Sequence, residues 1–313
     1  MKVLTSARIA RKFEPKMKEL GYEVITFDKE DVNEKEDYGE DIIIASMDII
    51  GMDLSKHKNL KYIFTISVGI DYLDLELLKE NNIILTNNNG VYSEPIAEWI
   101  VYSLLQIEKS DRFNIKNQEN KIWKPRVHSY NLYGKRALFL GTGSIAQAGA
   151  KRLSGFEMEL NGFNTDGRKI EPFINVYSLD ELDDVVSNMD YIIMCLPGTD
   201  ETYHFLNEGR IAEMKDGVVL VNISRGSTID EKALIKALQN GKIRAAALDV
   251  FENEPLDKNS RLWEMENVYI YPHISFSSED HEEREFRTAL HNLRSLKGES
   301  DLINIIDYEK GYW

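Results

Sequence analysis

The chain has 313 residues, a net charge of −15 and a single cysteine. The length predicts two domains rather than one. The acidic balance argues against nucleic acid or an anionic membrane as the main partner, because both want a basic face. The lone Cys195 excludes a disulfide within the chain and a cysteine-rich metal site, and at the end of the apolar run YIIMCLPG it reads as a small core residue. The N-terminal MKVLTSARIARKF lacks the apolar region of a signal peptide, and DIIIASMDIIGM is too short and too polar to span a bilayer. The expectation is a cytoplasmic protein with no membrane partner.

Along the chain, short apolar runs alternate with helical patterns. KVLT, YEVITF, DIIIAS, LKYIFTIS and NIILTN form a first series of predicted strands. RALFLG, MELNGFN, NVYS, YIIMCL, VVLVNIS, AAALDVF and VYIYPH form a second. Apolar strands without clean alternation, spaced by helices, indicate parallel sheets covered on both faces. The fold class is therefore α/β, with two doubly wound domains. SEPIAEWIVYSLLQIEKSDRF reads as one helix over 93–113. TIDEKALIKALQNG reads as another, with Thr228 or Asp230 as N-cap and Gly241 as its stop. Residues 120–135 read as a polar, aromatic excursion, and the charge run at 28–41 as a solvated loop or helix face.

RALFLGTGSIAQAGAKRL places Gly141, Gly143 and Ala146 in a G-x-G-x-x-A spacing between a strand and a helix. Gly141 allows the tight turn, Gly143 lets a pyrophosphate approach the backbone, and Ala146 permits close helix packing. The N–H groups at Ser144 and Ile145 open the helix and favour an anion. At the tip of the next strand NAD binding calls for a carboxylate to accept ribose hydroxyls. Asn164 stands there, followed by Thr165, Asp166, Gly167, Arg168 and Lys169. Without that carboxylate a 2′-phosphate is not repelled, and Arg168 and Lys169 can bind it. This favours NADP over NAD. Asp166, one turn on, is the competing acid.

Three motifs follow, each at or just past a strand end: LVNISRG with Arg225, AAALDVFENEPL with Asp249 and Glu254, and VYIYPHIS with His273. Ligands of doubly wound sheets bind at the carboxyl ends of strands. A guanidinium grips a carboxylate with a planar fork. A histidine beside a carboxylate can hand a proton to a developing alkoxide. With a nicotinamide as hydride source, this set fits the interconversion of a 2-keto acid and a 2-hydroxy acid.

These motifs, with SVGID, LPGTDETYHFLN and EMKDGVVLVNISRG, resemble the D-isomer-specific 2-hydroxyacid dehydrogenase family from TISVGIDYLD to YPHIS. The resemblance implies a flavodoxin-like substrate-binding domain of residues 1–98 and 282–313, with a Rossmann NAD(P)-binding domain, 99–281, inserted in it. It implies that Arg225 binds the substrate carboxylate and keto oxygen, with help from the N–H groups of Val68 and Gly69. His273 becomes the general acid/base and Glu254 its partner. Leu196, Pro197 and Asp249 are implied on the cofactor side, and a homodimer is implied, with segment 120–133 and His128 as candidate contacts.

The chain departs from the family pattern at Ala146 for a third glycine, Glu157 for an expected glycine, and Asn164 for the strand-tip acid. Glu254 argues against a formate dehydrogenase-like site. The end of the chain at 313 disfavours the serine-regulated type of phosphoglycerate dehydrogenase. A dinucleotide sensor, the use the C-terminal binding protein corepressors make of the fold, is the alternative function. His57 and His281 read as surface residues, and His204 and His291 have no evident partner. Tyr92, Tyr271, Ser275 and Phe276 are candidates to line the substrate pocket, by their proximity to the motifs. No His, Asp or Glu grouping has metal-ligand spacing, so no metal is expected.

Overall fold

The computed structural model describes residues 1–28, 37–126 and 129–310. His128 and most of the 28–41 charge run lie outside the described residues. The chain forms two compact units, Met1–Tyr92 with Ser278–Trp313, and Ser93–Ser277.

The first unit begins with β1 (Lys2–Ser6), α1 (Ala7–Glu19), β2 (Glu23–Phe27), β3 (Ile42–Ala45), β4 (Tyr62–Thr65), α2 (Leu75–Glu80) and β5 (Ile84–Thr86). The strands pair in parallel in the order β2-β1-β3-β4-β5, the flavodoxin-like arrangement. Helix α1 turns Ile9, Ala10, Phe13 and Met17 inward, the spacing of one helical face. It stops before Gly21, which sits at φ +78°.

The second unit opens with α3 (Ser93–Glu108) and α4 (Asp111–Glu119). The expected single helix over 93–113 is thus two, broken at Ser110 with φ +56°, and helix continues almost to the start of the predicted excursion. Then come β6 (Arg136–Leu140), α5 (Ser144–Leu153), β7 (Glu159–Phe163), β8 (Asn175–Tyr177), α6 (Leu182–Val186), β9 (Tyr191–Met194) and α7 (Glu208–Glu213). The unit ends with β10 (Val218–Asn222), α8 (Glu231–Asn240), β11 (Ile243–Leu248) and β12 (Val268–Ile270). All seven strands are parallel, in the order β12-β11-β10-β9-β6-β7-β8. The order reverses between β6 and β9, the switch point of a Rossmann sheet. Every residue of β10 is buried. Burial of its valine and leucine side chains contributes about 1.5–3 kcal/mol each. At α8 the cap is Asp230, which accepts from the N–H groups of Lys232 and Ala233, and Gly241 at φ +81° ends the helix.

Helix α9 (His281–Ser295) belongs again to the first unit. Phe286 on it stacks on Phe13 with ring centroids 4.2 Å apart. The sequence-based cuts at 98/99 and 281/282 fall inside α3 and at the first turn of α9. The two compact units divide at Ser93 and Ser278, so α3 falls whole in the second and α9 whole in the first.

Candidate functional site

The glycine turn lies between β6 and α5. Gly141 has φ +104°, and a Cβ there would stand 2.6 Å from the carbonyl oxygen of Cys195, so only glycine fits. A Cβ on Gly143 would meet nothing within 4 Å. Gly143 is the N-cap of α5 and carries no side chain to close its first turn at Ser144 and Ile145. Ala146 is fully buried. An anion-seeking helix end with open space before it suits a pyrophosphate. Across the switch point Leu196 is buried, Pro197 is exposed, and burial pushes the Cys195 thiol up, away from thiolate chemistry.

At the tip of β7 the Asn164 amide donates to Thr142 Oγ1 at 3.2 Å and to the Arg168 carbonyl at 2.9 Å. Its buried Oδ1 has no hydrogen-bond partner. Thr165, Asp166, Arg168 and Lys169 are exposed. Asp166 accepts from the Arg168 N–H at 3.2 Å, and its other oxygen lies 3.8 Å from the Arg168 guanidinium. The strand tip thus pairs its nearest cation with the competing acid.

Beyond β10 the chain turns sharply at Arg225. Asn222 receives the Ser224 N–H and hydroxyl and donates to the Arg225 carbonyl, which Thr228 Oγ1 also reaches at 2.6 Å. The Arg225 stem packs on Gly198, where a Cβ would lie 3.0 Å from its Cγ, and the guanidinium donates to the Ser224 carbonyl at 2.9 Å. Gly226 meets the backbone of Phe251 and Glu252 so closely that any side chain there would overlap it. The arginine turn and the Glu254 loop are therefore one packed piece.

Glu254 accepts from the Phe251 N–H at 3.0 Å and from His273 Nδ1 at 2.8 Å. Burial pushes the Glu254 carboxyl up, but the His273 and Phe251 hydrogen bonds and the charges of His273 and Arg225 outweigh it and hold it below its ordinary value. The His273 and Glu254 side chains keep 40% and 35% exposure, so the pair is open to a ligand. His273 sits at φ +54°, a region a non-glycine residue occupies only when its surroundings hold it there. Asp249 does the holding. It is 2% exposed, its two oxygens accept from the N–H groups of Ile274 at 2.8 Å and Ser275 at 3.0 Å, and its carbonyl takes the His273 N–H. The Asp249 carboxylate thus also shapes the histidine loop, a role the sequence did not suggest.

In the first unit, the loop after β4 carries Val68 and Gly69. Side chains of Thr65, Asn87 and Ser67 donate to the carbonyls of Ser67, Val68 and Gly69. Among the described residues the N–H groups of Val68 and Gly69 donate to no protein acceptor.

Several expectations fail in detail. His57 is buried, and its Nδ1 pairs with buried Glu40. With Asp37 they form a group of possible ligand atoms within 4.8 Å of one another, which sequence spacing did not reveal. His281 stacks on Tyr92 at 5.8 Å, His291 Nε2 meets the Asp301 carbonyl at 3.1 Å, and His204 meets Glu252. Tyr92 is buried and Tyr271 bonds Gln106, whereas Phe276 stands edge-on to His273 at 6.3 Å. The clamp role of Asn222 was also missed; the polar residue ending VVLVN was its one signal. Among the described residues no helix is long and apolar enough to cross a membrane.

Residues 102–275 match the family model for the D-isomer specific 2-hydroxyacid dehydrogenase, NAD binding domain. The chain is 37% identical over 248 residues to a glyoxylate reductase of Thermofilum pendens, covering 77% of this chain and 73% of that one. A D-isomer specific 2-hydroxyacid dehydrogenase family protein from Aeromonas salmonicida has a similar structure, with a TM-score of 0.85 at 29% identity over 98% of this chain and 99% of that one. So does an NADPH-dependent glyoxylate/hydroxypyruvate reductase from Sinorhizobium meliloti, solved with NADP and sulfate, with a TM-score of 0.84 at 25% identity over 99% of each chain. The chain belongs to the D-isomer specific 2-hydroxyacid dehydrogenase family and is a nicotinamide-dependent oxidoreductase.

Proposed function

We propose that the protein reduces a small 2-keto acid, of the size of glyoxylate or hydroxypyruvate, to the D-2-hydroxy acid, with Arg225, Glu254 and His273 as its catalytic residues. The observation that carries this reading is the half-open His273–Glu254 pair, on a loop packed to the Arg225 turn. Arg225 grips the substrate carboxylate and polarises the keto oxygen. Glu254 occupies Nδ1 of His273, which leaves Nε2 to donate the proton to the oxygen as it becomes an alkoxide. The nicotinamide, when bound, supplies the hydride to the keto carbon. On the first unit, the N–H groups of Val68 and Gly69 are carboxylate donors.

The cofactor's pyrophosphate belongs at Gly141, Gly143, Ser144 and Ile145, with Pro197 and the Leu196 backbone opposite. NADPH is the preferred form, because Asn164 places no charge at the strand tip and Arg168 and Lys169 are exposed beside it. The enzyme works in the cytoplasm as a homodimer. The support for a dimer is the apolar surface of the second unit around Ile115, Ile122, Trp123, Tyr130 and Tyr133, all exposed; sedimentation as a monomer at micromolar concentration removes it.

The test is loss of NADH or NADPH absorbance with a panel of small 2-keto acids. Turnover establishes the reductase, and kcat/KM with each cofactor ranks them. Arg225→Ala is expected to abolish nearly all turnover with cofactor binding close to normal, and retained activity removes the site assignment. Arg168→Ala is expected to raise KM for NADPH more than for NADH; equal changes assign the strand tip to NAD.

A further inference from the structure

The segment after the Pro197 loop runs beside the arginine turn. His204 N–H donates to the Ser227 carbonyl at 2.8 Å and Leu206 N–H to the Thr228 carbonyl at 3.0 Å. His204 itself has φ +46°, and its ring stacks on Tyr203 at 4.0 Å with 15° between planes. That conformation aims Nε2 at Glu252 Oε1, 2.9 Å away. Both side chains are a little over a quarter exposed, at 28% and 29%. Glu252 lies in the same short loop as Phe251 and Glu254, whose carboxylate bonds the Phe251 N–H. The backbone of Phe251 and Glu252 rests on Gly226, next to Arg225. The Glu252 backbone also bonds the carboxylate of Glu231 at the start of α8, so two acids crowd this end of the loop. His204 is the donor that ties one of them down.

We propose that His204 is a positioning residue for the reaction. Through Glu252 it pins the 251–254 loop to the arginine turn, and so fixes where the Glu254 carboxylate meets His273. The inference rests on the roles proposed above for Glu254 and His273. A strut of this kind acts on geometry at the reacting pair, not on cofactor binding, and such networks couple by amounts that are readily measured.

Steady-state keto-acid reduction by H204A, H204Q, E252A, E254Q and the double variant H204A/E254Q tests it, with cofactor affinity followed in parallel. H204A and E252A are expected to lower kcat by roughly 3- to 10-fold and leave KM for the cofactor within about twofold. H204Q, whose amide still donates to Glu252, is expected to recover most of the loss. H204A/E254Q is expected to match E254Q, because the strut has nothing left to position. Equal losses in H204A and H204Q, or an undiminished further loss on the E254Q background, overturn the proposal. If H204A does not fold, E252A removes the same contact and carries the same comparison, with E252A/E254Q as its double variant. Wild-type turnover by E254Q instead overturns the assignment of Glu254, a result distinct from a fall in E254Q with none in H204A and E252A.

Discussion

Of the three Glu–His pairs among the described residues, two have the same chemistry and opposite settings. His57 and Glu40 lie inside the first unit with side chains 1% and 0% exposed. His273 and Glu254 stand at the strand ends of the second, 40% and 35% exposed, on a histidine held at φ +54° by Asp249. The buried pair is closed to a ligand: Glu40 Oε1 meets His57 Nδ1, and Glu40 Oε2 is buried without a hydrogen-bond partner. The open pair has one imidazole nitrogen engaged and the other available, with Arg225 close enough to act on Glu254. Residue type alone does not make an acid/base site; accessibility and an anion-binding neighbour do.

The largest expected effect breaks the open pair. His273→Gln is expected to lower kcat by about 10²- to 10⁴-fold at every pH, the range for losing a general acid. Its urea midpoint should stay close to wild type, since partly exposed pairs contribute about 0–1 kcal/mol. A mutant that keeps its rate but unfolds easily would reverse the roles of the two pairs. Breaking the buried pair should do the opposite. Glu40→Ala is expected to cost about 3–5 kcal/mol in urea unfolding, the range for a buried pair that loses one member. The fraction that remains folded should turn over normally.

A pH series sharpens the contrast. The Glu254 carboxyl is held below its ordinary value of 4.5 in the folded protein, so folding favours its ionised form. That stabilisation is fully present above about pH 4.5 and is lost as pH falls through the lower folded value. The stability difference between wild type and Glu254→Gln should therefore be constant near about pH 6 and shrink toward about pH 3.5, read from urea midpoints. A constant difference across that range would show that Glu254 is not preferentially ionised by the fold. The smallest effect lies away from both pairs. Glu157 occupies φ +55°, in the left-handed region that favours glycine. Glu157→Gly is expected to stabilise by up to about 1 kcal/mol in thermal or urea unfolding, since it relieves the Cβ clash and loses some chain entropy in return.

The strands were legible from their apolar, β-branched runs. Both five- and seven-strand series appear as parallel sheets, because strands buried on two faces need no alternation. The glycine turn was legible for a local reason: Gly141 abuts a backbone carbonyl that any Cβ would strike. The break at Ser110 was not legible, since its left-handed conformation falls on a serine and not on a glycine or proline. Nor was the burial of His57, whose partner Glu40 is distant in sequence and is brought to it only when β3 pairs with β4. Asp249 was picked out from its motif, but its hold on the N–H groups of Ile274 and Ser275 was not legible. A carboxylate facing a cofactor and one bonding the next loop's N–H groups look alike in a sequence.

The amino-acid sequence by itself determined the fold class, the phosphate-binding turn and the candidate set Arg225, Glu254 and His273. These depend on short-range patterns: strand runs, a tight turn, and functional residues at strand ends. Tertiary structure alone decided which carboxylate each histidine meets, and whether the pair is sealed or open. Those contacts join residues 17, 19 and 48 positions apart, at His57–Glu40, His273–Glu254 and His204–Glu252. Hydrogen bonds of that kind are chosen by how loops cross the ends of a sheet, and no local sequence preference encodes that crossing.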